Sequence, residues 1–141
     1  MNQLQERIET LTLNGLHCSQ IMLSLAQSLS GEEEPSVIAA MGGLGGGLYR
    51  GLNCGTLTGG CCLLASYCSR GSIDEQDKYP YKQMVADLAQ WFEDTFGTVN
   101  CAELVSTNPL ERREKCPKLI EATYAKCLEL LEAAGIDPRG D

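Results

Sequence analysis

Apolar positions recur at helical spacing along nearly the whole chain. Leu4, Ile8 and Leu11 step by four and then three residues, predicting a first helix that Asn14-Gly15 ends. Cys18, Ile21, Met22, Leu25 and Leu29 mark the inner face of a second helix, closed by Ser30-Gly31. The acidic run Glu32-Glu33-Glu34 before Pro35 fits the start of a third, because proline and carboxylates both suit a first turn. A fourth is expected from about Gly55 to Ser69. A long amphipathic helix is predicted over roughly Asp77 to Phe96, with Tyr81, Met84, Val85, Leu88, Trp91, Phe92 and Phe96 as its apolar face and Gly97 as its end. After a short turn opening at Asn100, a last helix is expected to start at Pro117. It would bury Ile120, Tyr124, Cys127, Leu128 and Leu131 before Gly135 caps it. No stretch alternates apolar and polar residues long enough to propose a sheet. The pattern predicts an all-α fold: one compact bundle of about five to six helices with a Gly-rich loop, forming a single domain over residues 1–141.

The loop is the run from Gly42 to Gly51, which holds six glycines in ten residues. Each glycine costs a helix ~1 kcal/mol relative to alanine, so this run is not a stable helix. Either its backbone takes positive φ or something packs very close to it. Arg50 lies within it, but the Gly-Lys-Ser/Thr ending of a phosphate loop is missing and no strand precedes it.

Composition narrows the function classes. The formal charge of −8, from 19 acidic against 11 basic residues, argues against nucleic acid as a partner. The amino end lacks the basic and apolar regions of a signal peptide, and no apolar run approaches the ~20 residues of a membrane span. A cytoplasmic protein with no direct membrane insertion is expected. In that compartment eight cysteines point to metal binding or redox work rather than structural disulfides. No acid–base pair, nucleophile triad or cofactor loop supports catalysis on an organic substrate.

The eight cysteines divide by position. Cys18, Cys54, Cys101 and Cys116 each fall where a helix is predicted to begin, and Cys61, Cys62, Cys68 and Cys127 fall inside helices. Asn100 before Cys101 is a good N-cap with Glu103 placed for a capping box, and Pro117 after Cys116 suits a first helical position. Unpaired N–H groups and the helix dipole at a helix start favour an anion, so these four are expected to have lowered pKa values and to be thiolate more often. The other four read as core packing, since a cysteine often serves as a small hydrophobe. His17 reads as a solvent-facing or capping residue beside Cys18, and Gly55, Gly59 and Gly60 as sites of close helix packing. The four helix-start cysteines are separated by 36, 47 and 15 residues with no close C-x-x-C pair, which disfavours zinc ribbons and thioredoxin-like motifs. Two chemistries stay open for this set: a sulfur-ligated iron centre, and two redox disulfides.

In chain order, Cys18-Ser19-Gln20, Gly45-Gly46-Gly47, Cys54-Gly55-Thr56-Leu57-Thr58-Gly59, Phe96-Gly97, Cys101-Ala102-Glu103-Leu104 and Lys115-Cys116-Pro117 resemble the C-GCAxxG-C-C family of redox-active proteins, from about Gly15 to Leu131. The resemblance implies an all-helical bacterial or archaeal protein with four defining cysteines, which map onto Cys18, Cys54, Cys101 and Cys116, and a transporter-linked role. A related domain beside the haems of split-Soret cytochromes is linked to a [2Fe–2S] cluster, so the resemblance implies an iron–sulfur cofactor, most simply [2Fe–2S], held by those four. The chain departs from the family motif at Thr56, where the motif has alanine; the added hydroxyl can hydrogen-bond to a sulfur. It departs also at His17, where the family often has asparagine, and in its four additional cysteines.

The favoured expectation is an electron carrier serving a redox partner protein, possessing no catalytic residues of its own and able to form a homodimer. The alternatives are a thiol–disulfide protein using the same cysteines, and a non-redox metal-binding or adaptor module such as one holding structural zinc.

Overall fold

The computed structural model describes residues 1–140. It is all-α. Among the described residues the elements are α1 (Gln3–Leu13), α2 (Cys18–Ser30), α3 (Pro35–Met41), α4 (Gly55–Cys68), α5 (Lys82–Phe96), α6 (Cys101–Leu104) and α7 (Pro109–Ala133). The third helix starts at Pro35 as predicted but runs for only seven residues. The one helix beyond those predicted is α6, whose four residues carry too few periods to show in the pattern. No helix among the described residues is long and apolar enough to cross a membrane.

The core forms around α2 and α4. Ile21, Met22, Leu23, Leu63, Leu64, Leu88, Phe92, Ile120 and Leu131 are all at least 98% buried, and each such side chain contributes about 1.5–3 kcal/mol on leaving water. The two central helices meet closely because Gly59 has no side chain: a Cβ there would stand 3.0 Å from the Ser19 Cα and 3.1 Å from the Met22 Cβ. The buried Ser19 hydroxyl donates to the Met41 carbonyl at 2.7 Å, tying α2 to the end of α3. Helices α5 and α7 cover α4, and α1 lies along α7.

Two boundaries differ from expectation, each for a local reason. α5 starts at Lys82 instead of near Asp77. Pro80 lacks an N–H, and the segment before it is folded otherwise, with the Lys78 amide bonded to the Cys68 carbonyl at 2.7 Å and the Arg70 amide to the Asp77 carboxylate at 2.8 Å. The last helix starts at Pro109, not Pro117, and carries Pro117 in its interior. Asn108 is its cap, its side chain accepting from the Leu110 amide at 2.9 Å. Asn108, Pro109 and Glu111 form a stronger start signal than Lys115-Cys116-Pro117, and Cys116 therefore lies inside the helix, in its second turn.

The Gly-rich loop combines both expected behaviours. A 3₁₀ turn spans Gly42–Leu44 and a wide turn closes over Gly47–Gly51, with the Leu52 amide bonded to the Gly47 carbonyl at 3.0 Å. At the start of the wide turn Gly46, Gly47, Leu48 and Tyr49 are all left-handed, with φ of 57°, 63°, 61° and 57°. For the two non-glycine residues this costs roughly 1–2 kcal/mol each. Strain of that kind persists where the surrounding structure fixes it, and here it lies against the cysteines.

A cavity lined by four thiols

Cys18, Cys54, Cys101 and Cys116 come from four separate elements and line one cavity of about 520 Å³. Cys61, Cys62, Cys68 and Cys127 are absent from its lining, so the division read from position corresponds to a division in space. Cys18 is the first residue of α2 and Cys101 the first of α6. Cys54 is the residue that caps α4. Cys116 reaches the same cavity from the second turn of α7, four residues after Arg112 and on the same helical face.

Three local devices place these thiols. A single antiparallel bridge joins Asn53 to Asn100, with the Cys54 amide bonded to the Val99 carbonyl and the Cys101 amide to the Leu52 carbonyl, both at 2.7 Å. Cys54 and Cys101 are thus fixed relative to each other by backbone. Second, Gly55 leaves room for Cys18: a Cβ at that position would lie 2.6 Å from the Cys18 Sγ and 2.9 Å from the Leu44 carbonyl oxygen. Third, the left-handed turn is held over the cavity by Tyr49, whose hydroxyl donates to the Gly42 carbonyl at 2.5 Å and whose ring meets His17 edge-on at 5.4 Å. The exposed His17 is the N-cap residue of α2, its amide donating to the Gln20 side chain at 3.0 Å. The capping box expected at Asn100 is replaced by a side-chain pair, the Asn100 amide group donating to the Glu103 carboxylate at 2.7 Å.

The electrostatics correct one expectation. Burial raises the pKa of Cys18, and this outweighs hydrogen bonds from the Gly46 amide, the Thr56 hydroxyl and the Ser19 amide. Burial also raises Cys54, with Cys18 adding to it, against donors from the Thr56 and Leu57 amides and the Thr56 hydroxyl. Cys116 is pushed up to about 12 by burial and by the neighbouring Cys18 and Cys54, with Arg112 pulling the other way. Desolvation of a charge outweighs the helix-start donors where the surrounding protein covers most of the thiol. The donors are nevertheless in place, and they act on sulfur that carries negative charge.

Sequence reasoning singled out the four cysteines but missed two arginines. Arg112 and Arg113 line the cavity with Pro109, Leu104, Val105 and Leu119. Their place became visible only once α7 was seen to begin at Pro109. Thr56, noted in the sequence as a departure from the family motif, is 1% exposed and faces the cavity. Among the described residues, no group of three or more His, Cys, Asp or Glu side chains gathers closely enough to hold a single metal ion.

An all-helical, cysteine-rich chain with four thiols drawn from distant segments into one cavity has the makings of a redox-active protein. The family model C_GCAxxG_C_C, described as "putative redox-active protein", matches residues 16–130, and the chain belongs to that family. No curated protein and no solved structure matches it.

Proposed function

We propose that the chain is a one-electron carrier in which Cys18, Cys54, Cys101 and Cys116 ligate a [2Fe–2S] cluster. The observation that carries this reading is the convergence of four thiols from four elements on one cavity while the other four stay outside it. A dinuclear cluster takes two thiolates at each iron, so its ligands arrive as pairs. A single structural zinc would instead take four ligands around one ion.

The surroundings fit the group. Amides of Gly46, Ser19, Thr56 and Leu57 and the Thr56 hydroxyl donate to the Cys18 or Cys54 sulfur. Such donors set the potential of a thiolate-bound cluster by favouring its more negative state. When bound, the cluster supplies a one-electron couple. The chain's own residues position the thiols, cover most of their surface and provide the donors. Raised pKa values at Cys18, Cys54 and Cys116 make the free thiols poor nucleophiles at neutral pH, which counts against disulfide exchange as the main activity. Electron paramagnetic resonance of reconstituted, dithionite-reduced protein tests the reading. A spin-½ signal integrating to about one per chain is expected, and its absence in protein that carries iron and sulfide rules out a [2Fe–2S] centre.

A further inference from the structure

The cavity's lining contains no aspartate or glutamate, although the chain has 19 of them. Its charged groups are the guanidinium groups of Arg112 and Arg113. Neither arginine has a carboxylate partner among the described residues. The nearest candidate by sequence, Glu111, is engaged elsewhere: it accepts from the Ser106 hydroxyl and pairs with Lys115 at 2.9 Å. Arg112 is half-buried and already partly fixed, because its Nε donates to the Ser106 carbonyl at 2.8 Å. That contact orients the guanidinium and leaves its terminal N–H groups free for a planar anion.

We propose that the mouth of the thiol cavity is an anion-recognising subsite. Arg112, assisted by Arg113, would bind the carboxylate or phosphate of a small organic ligand, whose apolar body would lie against Leu16, Leu104, Val105 and Leu119. The cavity volume of about 520 Å³ falls within the range of small-molecule pockets, and those side chains supply the apolar wall such pockets have. The subsite depends on residues other than the thiols and stands whether or not a cluster fills them. It brings an anionic small molecule to the redox centre of a strongly acidic protein whose remaining surface repels it.

The test is calorimetric titration of the full chain, thiols kept reduced, with phenyl phosphate and with inorganic phosphate at constant ionic strength. Phenyl phosphate is expected to bind saturably and more tightly than inorganic phosphate. Arg112→Gln should weaken it by about tenfold or more, the scale of a lost charge-assisted hydrogen bond, and Arg112→Lys by less. Arg139→Gln, at an exposed position outside the cavity, should leave binding unchanged, and circular dichroism confirms that each variant is folded. The proposal is overturned if no saturation occurs, if folded Arg112→Gln binds as well as the wild type, or if Arg139→Gln weakens binding equally. Equal affinity for the two anions overturns the apolar wall.

Discussion

Cys54 and Cys101 are tied crosswise: each amide bonds to the carbonyl opposite across the Asn53–Asn100 bridge, at 2.7 Å in both cases. Each cysteine follows an asparagine and introduces a helix, α4 from Cys54 and α6 from Cys101. The 46 residues between them in sequence are closed by two hydrogen bonds in a fold with no other strand pairing among its described residues. The pairing holds the main chains of two of the four cysteines together, and α2 and α7 bring the other two.

Gly55→Ala separates helix propensity from site packing. At the first residue of α4 alanine gains at most about 1 kcal/mol of propensity, but its Cβ would lie 2.6 Å from the Cys18 Sγ and 2.9 Å from the Leu44 carbonyl oxygen. Overpacking of that kind costs about 1–3 kcal/mol, so a net loss of stability is expected by chemical denaturation. Gly43→Ala, where nothing lies within 4 Å, should be neutral.

Thr56→Val keeps the shape and removes the hydroxyl that donates to Cys18 and Cys54. With fewer donors to sulfur, the more negative, reduced state loses stabilisation. The potential of the reconstituted protein should fall by about one tenfold step in the reduction equilibrium, or ~59 mV for one electron. Thr56→Ser should restore it. Spectroelectrochemical titration reads the shift, and an unchanged potential removes Thr56 from the account.

Alkaline pH should destabilise the metal-free protein. Burial holds Cys61 at about 11 and Cys116 at about 12 in the fold, against 9 for a free thiol. Between these values the unfolded chain has lost the protons that the folded chain keeps, so the stability these thiols contribute is full below pH 9 and declines above it. The denaturant midpoint should be flat from pH 7 to about 9 and fall towards pH 11. Cys61→Ser should flatten part of that fall.

Pro117 tests the continuity of α7. Lacking an N–H, it leaves the Arg113 carbonyl without a helical donor, at a cost of up to ~3 kcal/mol. Pro117→Ala should raise the melting temperature. Were residue 117 a helix start, the same change would be neutral or destabilising.

The fold was legible because its helices are long and periodic: Ile8, Ile21, Leu88 and Leu131 are buried as their spacing demands. The grouping of Cys18, Cys54, Cys101 and Cys116, which the structure places around one cavity, was legible too, although one argument for it was wrong. Cys116 was placed at a helix start by Pro117, whereas it reaches the cavity from within α7. Lowered thiol pKa values were expected from helix starts, and burial reverses the sign for Cys18, Cys54 and Cys116. Desolvation depends on what covers a group, and local sequence does not report that. Arg112 was hidden for the same reason, since a residue's approach to a cavity depends on contacts between distant segments. The left-handed turn was half visible: glycines announced positive φ, but nothing marked Leu48 and Tyr49 as sharing it.

Iron and acid-labile sulfide content, measured with the visible spectrum after anaerobic reconstitution, tests the central claim most directly. The account predicts about two irons and two sulfides per chain with charge-transfer absorption. That absorption should be lost or altered in serine variants of Cys18, Cys54, Cys101 and Cys116, and kept in Cys62→Ser. Reduced, folded protein that takes up no iron, or whose four serine variants load as well as the wild type, would contradict it.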